Sequence, residues 1–267
     1  MGASYSYSKI GTFESCPLAY DLQYVRKIKL LKDFDYDVIK GIIFHHYAEV
    51  YKGNSREAAD KAFHEPEEVK PEFLQMITPV QHKAIQEAFA SFNHFYDTFL
   101  KSRENFTMKE FRISSKTPKG HTFTGFLDLV VLQPKEYWII DYKTPKGSKA
   151  SFYSGQLYTY IHYIMEKYKI PVEEVRAGVF FPFATDVKSD DDRFKEIKVT
   201  GKKIEEQITK LDDTIALLES PDRSKEANMQ WLCNYCQYKG VQELCPLSVI
   251  AGARPVKHYD EITKTLT

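Results

Sequence analysis

Two aspartates and a lysine occur where apolar strands are expected. Gly125-Phe126-Leu127-Asp128-Leu129-Val130-Val131 and Tyr137-Trp138-Ile139-Ile140-Asp141-Tyr142-Lys143-Thr144 are apolar, partly β-branched runs joined by a short polar link containing Pro134 and Lys135. They read as the two arms of a hairpin. Side chains alternate along a strand, so Asp141 and Lys143 share one face and Tyr142 turns away. Two acids and an ammonium on one buried face are costly unless they neutralise one another or bind a cation. A divalent metal held by both carboxylates accounts for the acids together, and Lys143 beside it can position a nucleophile and stabilise charge on a phosphoryl oxygen. The bland alternative is an Asp–Lys pair at a solvated strand end with Asp128 in a turn. It is weakened by the place of Asp128 between Leu127 and Leu129.

Other residues can complete such a site. A helical pattern over Val38 to Tyr51 puts Gly41, His45 and Glu49 on one face, so His45 is a candidate ligand that Glu49 could orient. His46 is an equally available competitor, and an isolated helical histidine more often packs than ligates. Phe152 to Tyr168 reads as a helix with Gln156 and Tyr160 one turn apart, an amide and a phenol able to position a phosphate or water, or simply to lie half-buried. Glu110, in the alternating stretch Thr107 to Ser114, is placed either near the acids or in a sheet-edge salt bridge.

Cysteine spacing points to a second centre. Cys233-Asn234-Tyr235-Cys236 with Cys245 nine residues on has metal-ligand spacing, and Cys16 is the one remaining cysteine. Bringing Cys16 to the other three makes a four-thiolate site that ties the ends of the chain together. Four thiolates suit an iron–sulfur cluster, the preferred reading, or zinc, and no metal remains the third option.

The surrounding elements follow from periodicity and breakers. Met1 to Ala3 reads as a disordered tip. A short helix with Ser8 as its N-cap precedes Pro17, and a second short helix carries Leu18, Leu22 and Val25. A long helix from about Thr78 to Lys101 has Val80, Ala84, Ala88, Phe92, Phe95 and Phe99 as its expected buried stripe. Val175 to Phe183 and Phe194 to Val199 read as strands, and Lys202 to Leu218 as a closing amphipathic helix. The 267 residues carry 37 basic and 37 acidic side chains, so net charge does not advertise nucleic acid, though a local patch could still bind it. With 43% hydrophobic and 28% charged residues the composition is globular. No membrane-length apolar run or signal-peptide pattern is present, so no membrane partner and a cytoplasmic location are expected.

Together these pieces resemble the PD-(D/E)xK nuclease superfamily, in particular the branch holding the RecB and AddB nuclease domains and the CRISPR-associated iron–sulfur exonucleases. The resemblance is carried by Gly41 to His45 (G-x-x-x-H), Gly125 to Asp128 (G-x-x-D), Asp141-Tyr142-Lys143 (D-x-K), Gln156 to Tyr160 (Q-x-x-x-Y), and the split set Cys16-Pro17, Cys233, Cys236 and Cys245. It implies an α/β fold, a mixed sheet of restriction-endonuclease-like form with flanking helices and a C-terminal iron–sulfur clasp. One nuclease domain, 1–267, is expected, with a helical part at 1–105, a catalytic sheet core at 106–200, and the closing helix and cysteine region at 201–267. The resemblance also implies that His45, Asp128, Asp141 and the Tyr142 carbonyl hold Mg²⁺ or Mn²⁺, that Lys143 assists catalysis, that Gln156 and Tyr160 support the site and the DNA, and that a 4Fe–4S cluster is structural. A metal-dependent DNA nuclease, an exonuclease acting on single strands or ends, is the expected function. The alternative is a catalytically inactive DNA-binding or assembly protein with a nuclease-like fold. No G-x-x-x-x-G-K-S/T loop is present, so any helicase, recombination or CRISPR partner would be a separate chain.

Overall fold

The computed structural model describes residues 4–28, 34–228, 233, 236–239, 241 and 243–247; the expected tip at 1–3 lies outside them. The chain forms two compact units, one from 34–115 and 125–208, the other from 1–33, 116–124 and 209–267.

The elements run β1 (Ser4–Tyr5), α1 (Tyr7–Ser15), α2 (Pro17–Tyr20), α3 (Tyr36–Val50), α4 (Ser55–His64), α5 (Pro71–Gln75), α6 (Pro79–Phe95), β2 (Thr107–Lys116), β3 (Thr122–Gln133), β4 (Glu136–Tyr142), α7 (Ser154–Tyr168), β5 (Val175–Phe180), β6 (Phe194–Ile197) and α8 (Gly201–Glu219). This is a mixed α/β fold with a mixed sheet, as the alternating strand and helix patterns require.

In the unit made of 34–115 and 125–208, β2 pairs with β3, β3 and β4 are antiparallel, β4 and β5 parallel, and β5 and β6 antiparallel. The β3–β4 register pairs Leu129 with Ile140 and Gln133 with Glu136 around the two-residue turn Pro134-Lys135. Lys135 takes φ +70°, the positive value required at the third position of a type II turn. Parallel strands cannot be joined by a tight turn, and α7 supplies the crossover from β4 to β5.

Helix α3 begins where Asp35 accepts hydrogen bonds from the amides of Asp37 and Val38. It buries Ile39, Ile43, Phe44, Tyr47 and Ala48 in the same hydrophobic core as Leu129, Trp138, Ile140 and Tyr142. Phe44 meets the rings of Phe92 and Tyr142 edge-on, and the Tyr47 hydroxyl donates to Asn93 at 2.6 Å. Helix α6 starts with a capping box between Thr78 and Gln81. Its buried stripe is Ile85, Ala88, Phe89, Phe92 and Phe95, whereas Val80 is 79% exposed. The expected stripe therefore drifts by one position at its start, because Pro79 and Val80 form the first, uncovered turn. After Phe95 the backbone widens into a π-type turn at Tyr96–Leu100 and then tightens at Lys101–Phe106, so the long helix does not continue in α form to Lys101.

In the other unit, β1 lies parallel to the first residues of β3, with Ser4 opposite Thr122 and Tyr5 opposite Phe123. The N-cap of α1 is Ser6, whose hydroxyl accepts from the Lys9 amide at 3.2 Å, rather than Ser8, which already lies inside the helix as its second residue. Helix α8 begins in the former unit, to Ile208, and continues in this one; its buried residues recur at Ile204, Ile208, Leu211, Ile215 and Leu218, a helical stripe. Among the described residues no helix is long and apolar enough to cross a membrane.

Candidate metal and phosphodiester site

The acids are brought together by the β3–β4 hairpin, inside the unit made of 34–115 and 125–208. Asp128 and Asp141 stand one step beyond the paired Leu129 and Ile140, so the pleat turns both to one side. Asp128 accepts a hydrogen bond from the Tyr142 amide through Oδ2, and its Oδ1 lies 3.4 Å from His45 Nδ1. Asp141 Oδ1 accepts from Gln156 Nε2 at 3.0 Å, and Oδ2 forms an ion pair with Lys143 Nζ at 2.8 Å. That Oδ2 is buried and has no well-directed hydrogen bond, leaving electron density that a cation can use.

The helices contribute the remaining groups. His45 projects from α3 one turn after Gly41, where a Cβ would stand 3.4 Å from Thr144 Oγ1. His46 is engaged elsewhere, with Glu49 at 3.1 Å and Glu65 at 2.8 Å. The competitor histidine is thereby placed outside the cluster, and Glu49 orients His46 rather than His45. On α7, Gln156 Nε2 also lies 3.2 Å from the Tyr160 hydroxyl, so the amide bridges that phenol to Asp141.

Glu110 of β2 is the residue whose place the sequence left open. One carboxylate oxygen of Glu110, one of Asp128 and a ring nitrogen of His45 all lie within 4.8 Å of one another, the one such set among the described residues. Glu110 has φ +46°, a left-handed conformation inside a strand. A non-glycine residue rarely takes it unless its surroundings impose it. An acid in an alternating strand was the available sequence signal, but alternation alone could not tell this position from a surface salt bridge.

The electrostatics fit a site built for a cation. Burial disfavours charge on His45, but the Asp128 carboxylate outweighs it and holds the ring above its ordinary value. Burial likewise opposes ionisation of Asp128, and His45 with Lys143 nevertheless holds it below the usual carboxylate range. Asp141 is pushed up to about 6 by burial despite Lys143, and Glu110 to about 7 by burial and by the Asp128 charge. For Lys143, burial is overcome by Asp141 and Asp128, which keep it a firm cation. Burial first, and the Asp128 charge after it, opposes ionisation of these two carboxyls, and a divalent ion bound beside them would favour their charged forms. The oxygen and imidazole donors suit Mg²⁺ or Mn²⁺. An open cleft of about 690 Å³ reaches His45, Glu110 and Asp128, with Thr144 and Gly41 on its wall.

The cysteines lie in the other unit. None of Cys16, Cys233, Cys236 and Cys245 is in a disulfide, and all four are half-buried. Burial raises the Cys236 thiol, and Cys16, Cys245 and Cys233 each add to that rise, which puts them in electrostatic reach of it. No three of the four sulfurs lie within 4.8 Å of one another. A single zinc ion with bonds of about 2.3 Å would draw its thiolates to roughly 3.8 Å apart.

Comparison with known proteins places these features in a family. No curated protein matches the chain. Among solved structures, the crystal structure of SSO0001 is similar at 15% identity and a TM-score of 0.39, covering 79% of this chain and 95% of that one. The family model of the PD-(D/E)XK nuclease superfamily matches residues 4–245, a span that takes in the hairpin acids, the helical histidine and all four cysteines. The chain belongs to the PD-(D/E)XK nuclease superfamily.

Proposed function

We propose that this protein is a Mg²⁺- or Mn²⁺-dependent deoxyribonuclease that hydrolyses phosphodiester bonds at ends or in single strands. The observation that carries the reading is Asp128: its carboxylate faces the His45 imidazole on one side and accepts the Tyr142 amide on the other, opposite an Asp141 whose Oδ2 lacks a directed hydrogen bond. Asp128, Asp141, His45, Glu110 and the Tyr142 carbonyl are the groups that would hold the ion. Bound there, a divalent cation polarises a phosphoryl oxygen and makes water a better nucleophile at neutral pH. Lys143, fixed by Asp141 and kept protonated, would neutralise charge gathering on the phosphoryl oxygens as water adds to phosphorus and the ester P–O bond breaks. Gln156 and Tyr160 would hold Asp141 in place through the amide bridge.

We further propose that the four cysteines carry a structural 4Fe–4S cluster, with zinc as the competing occupant. The neighbourhood of the four thiols supports metal ligation. The support is the Cys-x2-Cys spacing with two further cysteines, which can serve either metal, although no three of the sulfurs lie within 4.8 Å of one another. Membership of the RecB, AddB and CRISPR-associated branch is proposed from the motif set together with the cysteine pattern, and any helicase or recombination partner would be a separate chain. An inactive scaffold is less favoured, because a binding module has no use for buried, closely spaced acids where phosphate must approach.

End-labelled single- and double-stranded DNA incubated with Mg²⁺, Mn²⁺ or EDTA tests the activity, and the product ladder reports direction. Cleavage should require the ion and vanish in Asp141→Ala. DNA binding without cleavage under every metal condition would instead favour the scaffold. Anaerobically purified protein should be brown and contain iron and sulfide; colourless protein with one zinc would replace the cluster.

A further inference from the structure

Lys109 precedes Glu110 on β2 and makes three hydrogen bonds from one ammonium. Its Nζ donates to the carbonyl oxygens of Ala48 at 2.8 Å, Glu49 at 3.1 Å and Tyr51 at 2.7 Å. The first two are among the last carbonyls of α3 and the third belongs to its cap residue, where helical carbonyls run out of backbone donors and partial negative charge collects. All three protons of the ammonium are thus spent on the end of the helix that carries His45 one turn earlier. In a regular strand, neighbouring side chains diverge to opposite faces. Here Lys109 grips the end of α3 while the Glu110 carboxylate meets His45 of the same helix and Asp128. The φ of +46° at Glu110 breaks the alternation and lets both side chains reach the α3 side. A left-handed conformation is strained for a non-glycine residue, so some interaction must hold it.

We propose that Lys109 is a positioning residue for the metal site: by tying β2 to the C-terminal end of α3, it fixes Glu110 in the left-handed conformation that completes the His45–Glu110–Asp128 ligand set for a divalent cation. This rests on the reading of that set as a cation site. Lys109 touches neither ion nor DNA in this role. Its effect is on how tightly Glu110 is presented.

The test measures Mn²⁺ binding in the absence of DNA, by the loss of free Mn²⁺ signal in electron paramagnetic resonance, alongside the Mn²⁺ dependence of cleavage and thermal melting. Lys109→Met should weaken Mn²⁺ binding by about 10- to 100-fold and shift half-maximal cleavage to correspondingly higher Mn²⁺, with a much smaller loss of rate at saturation. Glu110→Gln should weaken binding similarly. The double variant should be no weaker than Glu110→Gln alone, because both changes remove the same contribution. Lys109→Arg should recover part of the affinity. A Lys109→Met protein that melts earlier yet binds Mn²⁺ as wild type does would reduce Lys109 to a helix cap and overturn the proposal. Should that variant not fold, Lys109→Gln takes its place with the same outcomes. Asp128→Asn separates the two levels: if it too leaves Mn²⁺ binding intact, the cation site itself is misassigned, whereas loss in Asp128→Asn with normal Lys109 variants sinks only the clamp.

Discussion

Gly125 lies against the ring of Tyr160 so closely that a Cβ at position 125 would stand 2.9 Å from Tyr160 Cε1. The tyrosine is buried and cannot easily yield. Its hydroxyl is in turn within 3.2 Å of Gln156, which holds Asp141. Gly125→Ala should therefore displace the support of an acid on a different strand. Overpacking of this kind costs about 1–3 kcal/mol. The expected outcome is a lower melting temperature together with a fall in Mg²⁺-dependent cleavage. Unchanged cleavage in a folded Gly125→Ala protein would mean that the Tyr160–Gln156 bridge is not needed to hold Asp141.

Lys143 is paired with Asp141 at 2.8 Å and held above its ordinary range by the two aspartates, despite its burial. It is therefore an electrostatic group rather than a base. Lys143→Ala should lower the maximal cleavage rate by about 10²- to 10³-fold, and raising the pH from 7 to 9 should not rescue the variant. A rising rate with pH in wild type that disappears in Lys143→Ala would assign Lys143 the role of proton acceptor and contradict this reading.

Glu110 makes the metal-free protein less stable as pH rises. Its carboxyl titrates at an ordinary 4.5 when the chain is unfolded and at about 7 in the folded protein, first through burial and then through the Asp128 charge. The folded state binds this proton more tightly. The stability it contributes is whole below about 4.5 and is lost as pH rises through about 7. In EDTA, Glu110→Gln should melt close to wild type at pH 5 and above it at pH 8. Equal melting temperatures at both values would show that Glu110 is not held against its charge.

Cys16 and Cys236 lie far apart in sequence but interact electrostatically. Cys16→Ser and Cys236→Ser should each lower the iron and sulfide content per chain and the melting temperature, measured on anaerobically purified protein. Full metal content in Cys16→Ser would remove the N-terminal ligand from the proposed set.

Much of the site was legible because it depends on strand alternation and helical spacing, which are local. Asp128 and Asp141 could be paired from the hairpin alone, and Gln156 and Tyr160 from their four-residue separation. His45 was separable from His46 only in three dimensions, where Glu49 and Glu65 occupy the latter. Glu110 was left between two placements for a related reason: its position depends on a left-handed backbone that no residue type signals, since glycine would be the expected occupant. Strand β1 is two residues long and gains its identity from pairing with Thr122 and Phe123, distant in sequence. The Ser6 cap was obscured by Ser8 two residues on, and only the direction of the Lys9 amide decides between them.

The two-residue turn at Pro134-Lys135 sets more than a reversal of direction. Every pairing from Gln133–Glu136 to Leu129–Ile140 is counted from it, and the separation of the two acids is the next rung of that count. One residue inserted at the turn would slide the ladder and rotate one carboxylate to the far surface. Two residues would restore the face but move the acids out of step. The chemistry of this chain is thus indexed by a loop that bears none of it.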